Sequence, residues 1–316
     1  MHGNRIAYLD ISKGILILFV IWAHVCFYFG DILANPQGFC LFVQKTIPYV
    51  FLPYVMPAFF VLHGFYSTPK TSFKEVCTYG LLSLLLPSTM IMGDISFWFT
   101  WAMFFALVLD FFFSKLSCSF LKAFLYLFLV PEVGIFLYFH GCNFMYGAYA
   151  LALLPFLYIG RYLSRILLSK KFGFFCLIAY LICILFFVCK SSFPPYLTGI
   201  GLFNFSYISL PVFLILATSG SGALFFISRI VKKNSFLEYI GKNSLLICLI
   251  HKSIFAHVSR HFGLDNLLNG INNITISIVV YISFFVFSVF MSIVICRLIM
   301  RYCPWIAGKD IIVSKG

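Results

Sequence analysis

Residues 11–30 read Ile11-Ser-Lys-Gly-Ile-Leu-Ile-Leu-Phe-Val-Ile-Trp-Ala-His-Val-Cys-Phe-Tyr-Phe-Gly30. After one lysine near its start, the stretch is an almost unbroken apolar run. As a helix, about 20 such residues cross the hydrocarbon core of a bilayer. The run does not alternate apolar and polar side chains, so it does not suit a transmembrane barrel strand. It is not expected to be a cleavable leader. Arg5 offers a basic start and 15–21 an apolar core, but Asp10 and Lys13 interrupt the approach and no small-x-small site follows. The stretch is predicted to be an uncleaved first span.

Outward from it the whole chain has the same character. Of 316 residues, 62% are apolar and 10% charged, and 42 are Phe; soluble domains have about 45–50% apolar and about 25% charged residues. So few charges cannot make a water-facing surface. A soluble globular enzyme, a disordered chain and a nucleic-acid-binding domain are excluded, although the net charge is +13. The predicted fold is all-α: a polytopic transmembrane helical bundle of about ten spans, forming one integral-membrane domain over residues 1–316. The spans are placed at 11–30, 47–66, 76–92, 95–113, 119–139, 147–168, 172–189, 205–228, 236–257 and 273–297. The longest loops fall at 31–46, 190–204 and 258–272. No internal repeat is visible.

Basic residues set the orientation, because Lys and Arg are retained on the cytoplasmic side. With ten spans and a cytoplasmic N-terminus, 18 of the 22 basic residues fall inside; Lys45, Lys190, Lys252 and Arg260 fall outside. Both termini are then cytoplasmic, and the positive charge belongs to loops beside anionic lipid. The expected location is a cell membrane, as a multi-pass protein of the bacterial inner or plasma membrane. The 11 cysteines sit mostly inside apolar runs with no pairing pattern and read as small buried hydrophobes.

Ionisable groups inside spans are costly and are by default functional. Lys13 and His24 are eleven residues apart, which puts them on nearly the same helix face and roughly 16 Å apart along the axis. Asp10 stands three residues before Lys13 and can pair with it. One reading is a cavity with an anion site at its cytoplasmic mouth and a base deep inside, since neutral imidazole is the usual proton acceptor near neutral pH. The other is a snorkelling lysine and a structural histidine. His251 lies at a depth similar to His24, after Lys242, Asn243 and Ser244. The two histidines are able to face one cavity, or His251 caps its span at the interface. His63 falls near the cytoplasmic end of the second span, either at an anion or cofactor mouth or as an interfacial histidine. No H-E-x-x-H, C-x-x-C, G-x-S-x-G or P-loop pattern is present, and no metal is expected.

Several segments in order resemble a known family. They begin with Arg5-Ile-Ala-Tyr-Leu-Asp10-Ile-Ser-Lys13-Gly14, continuing to Trp22-Ala-His24. Met56-Pro57-Ala-Phe-Phe-Val-Leu-His63-Gly64 follows, with His63 where members usually carry Ser. Leu84-Leu-Leu-Pro87, Phe97-Trp98-Phe99, Leu154-Pro155 through Gly160-Arg161, and Ser219-Gly220-Ser221 come next. Leu237-Glu-Tyr-Ile-Gly241-Lys242-Asn243-Ser244 leads to His251, and Arg301-Tyr-Cys-Pro304-Trp305 runs on to Lys309. The chain thus resembles the integral-membrane acyltransferase family 3, and within it the short fucose 4-O-acetylase-like members that lack a soluble domain.

The resemblance implies O-acyl transfer, usually of acetyl, from cytoplasmic acetyl-CoA to a hydroxyl of a cell-surface polysaccharide or its lipid-linked sugar precursor. His24 matches the family's essential histidine and Lys13 its basic partner, with Asp10 beside it. The donor's phosphates need cations, for which Lys13, Arg5 and Lys242 are candidates, with His63 also at the mouth. His251, Asn243 and Ser244 are candidates to bind the acceptor or to steady the oxyanion. His24 acts as a general base, or alternatively as an acyl-carrying nucleophile. Two competing functions share the composition. One is a secondary transporter or exporter of a glycan or small polar solute. The other is a non-catalytic scaffold.

Overall fold

The computed structural model describes residues 6–32, 39–67, 72–92, 98–142, 144–189, 210–262 and 274–307. Of these, 92% are helical, and no strand occurs among the described residues. In chain order the helices are α1 (Ala7–Ile32), α2 (Phe39–Tyr66), α3 (Phe73–Gly80), α4 (Leu86–Met92), α5 (Trp98–Ser114), α6 (Ser119–Phe124), α7 (Val130–Phe139), α8 (Gly147–Tyr162), α9 (Ser164–Leu167), α10 (Lys170–Cys189), α11 (Leu210–Val231), α12 (Ser235–Lys242), α13 (Ser244–Phe262) and α14 (Ile274–Tyr302). A π-helical turn at Leu81–Leu85 joins α3 to α4, and another at Leu125–Leu129 joins α6 to α7.

In each of the ten apolar segments the described residues are mainly helical, but the boundaries and continuity differ in places. The segment 236–257 is two helices, with the break at Asn243. Asn234 caps α12 by accepting from the Leu237 N–H. At the other end the Asn243 amide donates to the Tyr239 carbonyl. Both asparagines satisfy helix-end groups that an uninterrupted span would not leave open. The segment expected as loop at 31–46 is also helical from Phe39 onward.

Among the described residues, four helices are long and apolar enough to cross a membrane: Ala7–Cys26, Ser119–Phe139, Leu210–Val231 and Thr275–Tyr302. Two of them are wrapped mainly by protein. Two others, Ser119–Phe139 and Thr275–Tyr302, keep only 22% of their most apolar window buried. Phe120, Phe128 and Phe136 stand exposed on the first, and Val279, Val286 and Phe290 on the second. Apolar faces of this size are unsuited to water and suit contact with acyl chains.

The chain divides into two compact units. The first contains residues 1–52 and 231–303, built on α1 with α12, α13 and α14. Leu9, Ile11, Leu16, Ile17 and Ile21 of α1 are buried, as expected of a helix that is apolar nearly all round. α12 crosses α1 at close range because both carry glycine at the crossing. A Cβ on Gly14 would strike the Leu237 carbonyl, and one on Gly241 the Asp10 carbonyl. Small residues allow backbones to approach in this way where lipid offers no hydrophobic drive.

The second unit contains residues 53–230 and 304–316. Its central helix is α8, buried from Ala148 to Leu157 except at Leu151. α2 and α8 meet at two glycines: Gly64 faces the Leu157 carbonyl and Gly160 the Val61 carbonyl. On α11 the run Ser219-Gly220-Ser221-Gly222 is buried, with Gly220 under the Tyr54 ring and Gly222 against Cys176. The serines return their hydroxyls to their own helix, as Ser221 does to the Ala217 carbonyl.

Candidate functional site

α1 supplies three ionisable side chains to the first unit. Asp10 is buried, and its carboxylate lies 3.9 Å from the Lys13 ammonium, which keeps about a quarter of its side chain exposed. The i,i+3 spacing brings the two together on one face. α12 crosses the backbone beside this pair, with Gly241 against the Asp10 carbonyl. Lys242, the next residue, is exposed and pairs with the part-buried Glu238 at 3.8 Å. Asn243 spends its amide on the Tyr239 carbonyl, and Ser244 opens α13.

Further along the same unit, His24 of α1 and His251 of α13 meet. Their ring centres are 5.0 Å apart and the planes cross at 71°. His251 is fully buried, whereas His24 retains partial access. Phe255, one turn on from His251, meets the His251 ring edge to face at 5.9 Å and lies tilted 6.5 Å from the His24 ring. The charge of Lys252 is within electrostatic reach of both imidazoles. Since Gly241 lies at Asp10 and His251 at His24, α13 runs alongside α1 in the same direction.

The backbone fixes the tautomer of each ring. His24 Nδ1 is 2.8 Å from the Val20 carbonyl, and His251 Nδ1 is 3.3 Å from the Ile247 carbonyl. A carbonyl only accepts, so each Nδ1 carries the hydrogen and donates it. In the neutral ring Nε2 then holds a lone pair and is a base or acceptor. His251 Nε2 is buried and has no hydrogen-bond partner among the described residues.

Of the remaining predicted site residues, Arg5 lies outside the described residues. His63 belongs to the second unit, half-buried in the last turn of α2 and 6.0 Å from the Tyr79 ring. The structure thus groups Asp10 with Lys13, and His24 with His251, within the first unit. Lys242, Asn243 and Ser244 mark the α12–α13 junction.

The second unit holds a polar centre that the sequence reading did not single out. Arg161, in the last turn of α8, pairs through Nη1 with Asp110 of α5. Its Nη2 donates to the Ser67 hydroxyl at 3.3 Å. Tyr126, fully buried in the second π turn, donates to the Asp110 carboxylate at 2.7 Å. The signal available was Asp110 itself, a carboxylate inside the run Leu107-Val-Leu-Asp110-Phe-Phe-Phe113. Among the described residues no three His, Cys, Asp or Glu side chains come together in a way that would hold a metal ion.

The chain matches no protein-family model, no curated protein and no solved structure at a significant level.

Proposed function

We propose that the protein is a ten-span membrane O-acyltransferase with both termini in the cytoplasm. On this reading it moves an acyl group, acetyl in the first instance, from cytoplasmic acyl-CoA to a carbohydrate hydroxyl. The acceptor is a cell-surface polysaccharide or its lipid-linked precursor. The ordered motifs that resemble acyltransferase family 3 support the class. The observation that carries the chemistry is His24: a neutral imidazole, its Nδ1–H held by the Val20 carbonyl, offering a basic Nε2 within an apolar bundle.

The step balances as follows. The acceptor O–H gives its proton to His24 Nε2 as its oxygen attacks the thioester carbonyl carbon. The carbon–sulfur bond breaks, CoA leaves as thiolate, and the imidazolium returns the proton to sulfur. An ester and a free thiol are formed, and the histidine is restored. Lys13 lies on nearly the same helix face, roughly 16 Å from His24 along the axis, a span that suits a donor with phosphates at one end and a thioester at the other. Asp10 holds the ammonium in place; Lys13 binds donor phosphate as a point charge. Arg5 and Lys242 remain candidates for the same anionic end, and Asn243 and Ser244 for acceptor contacts.

Membranes containing the wild-type chain, given radiolabelled acetyl-CoA, are expected to pass label to a glycan or lipid-linked sugar fraction. His24→Ala should reduce this by at least about a hundredfold, with unchanged amounts of inserted protein. Full transfer by that variant would remove His24 from the reaction, and absence of any transfer by the wild type would favour a transporter.

A further inference from the structure

The lone pair on His251 has a consequence for the acceptor. His251 Nδ1 is committed to the Ile247 carbonyl, so the neutral ring has no hydrogen with which to steady an oxyanion. What it has is an acceptor, Nε2, buried and without a partner among the described residues. A buried polar atom left unmade costs on the order of 1–3 kcal/mol, and a ligand that donates to it would recover that cost. His24, 5.0 Å away between ring centres, presents a second acceptor of the same tautomer. Two neighbouring lone pairs call for a ligand with two hydrogens to give.

We propose that His251 holds the hydroxyl adjacent to the one acylated at His24, so that the enzyme selects acceptors bearing two neighbouring hydroxyls. This rests on the acyltransferase reading above and names the feature of the acceptor that the site recognises. A vicinal diol places two oxygens about 2.8 Å apart, each able to donate over about 2.8 Å. Such a pair has the spacing to donate to two neighbouring rings that meet edge to face with their centres 5.0 Å apart. One hydroxyl donates to His24 Nε2 and loses its proton as it attacks. The other donates to His251 Nε2 and keeps its proton throughout. A single alcohol satisfies only one ring. A water molecule satisfies both, and is the competing nucleophile when no acceptor is bound.

The test uses full-length protein in detergent and follows thiol released from acetyl-CoA. Acceptors are methyl hexopyranosides with vicinal diols, each paired with an analogue in which one of the two hydroxyls is hydrogen. Wild type should favour the diols by about tenfold or more in kcat/KM. His251→Asn retains an amide able to donate to the Ile247 carbonyl but lacks Nε2; the preference should fall to within about twofold. His251→Gln, whose amide oxygen reaches toward the Nε2 position, should restore part of it. Deoxy analogues used as well as diols by the wild type would overturn the proposal without recourse to any variant. So would a preference that survives in His251→Asn, or thiol release that no diol accelerates. Thiol release that is absent, or unchanged in His24→Ala, overturns the acyltransferase reading itself, and the diol proposal with it.

Discussion

His24 and His251 are ordered by the same local device, a bond from Nδ1 to the carbonyl four residues earlier. That device is a property of each helix alone. Lys13 is ordered differently, by the buried carboxylate of Asp10. Removing its charge should weaken donor binding more than chemistry. For Lys13→Gln we expect KM for acetyl-CoA to rise about tenfold, the loss of one charge-assisted bond, with kcat within about threefold. A fall in kcat at constant KM would put Lys13 beside the reacting atoms. In the second unit, Asp110 and Arg161 form a buried pair. Asp110→Asn keeps a partner for Tyr126 but leaves the guanidinium uncompensated, at a cost of about 3–5 kcal/mol. The double variant D110L/R161M removes both charges and should be the more stable of the two in thermal unfolding. The opposite order would mean that the pair is solvated. Asp110 was readable as a charge inside an apolar run. Its partner was not, because Arg161 is 51 residues away.

At the level of elements, glycine decides how close the helices come. Gly241→Ala would place a methyl group on the Asp10 backbone, and over-packing of this kind costs about 1–3 kcal/mol. It should lower the unfolding temperature in detergent and raise KM for acetyl-CoA, because α12 and the Asp10–Lys13 pair move apart. Gly147→Ala is the control: the new Cβ meets nothing within 4 Å, and its stability should stay within about 0.5 kcal/mol. Equal effects of the two substitutions would refute the close crossing. The break at Asn243 shows where reading by hydropathy stopped short. A window of apolar residues counts Tyr239 and Ile240 with Leu245 and Leu246, whereas the helix ends at Asn243, whose backbone N–H and side-chain amide both donate to the Tyr239 carbonyl. The π turn at Leu125–Leu129 was equally illegible, since its extra residue per turn leaves composition unchanged. It carries the tyrosine that reaches Asp110.

For the molecule as a whole, the membrane reading has a sided test. Cys118 and Cys142 are both exposed and bracket the helix Ser119–Phe139, 21 residues long. At 1.5 Å per residue that helix measures roughly 32 Å, about the thickness of the hydrocarbon core. With a cytoplasmic N-terminus and ten spans, Cys118 is inside and Cys142 outside. In variants keeping one of these cysteines, an impermeant maleimide should label Cys142 in intact cells and Cys118 only after permeabilisation. The reverse pattern would invert the topology, and labelling of both in intact cells would mean that Ser119–Phe139 does not cross.

By itself the sequence determined that the chain is helical and that its helices suit lipid, since backbone groups in hydrocarbon must bond within their own segment and composition reveals which segments are apolar. It also determined that Lys13 and His24 share a face, because 3.6 residues per turn is a local rule. Only the tertiary structure decided that His251 stands against His24 and that Arg161 finds Asp110. Those meetings depend on which helices cross and at what height, and that is set by the small residues, caps and bulges at each crossing, whose effect comes from neighbours distant in the chain.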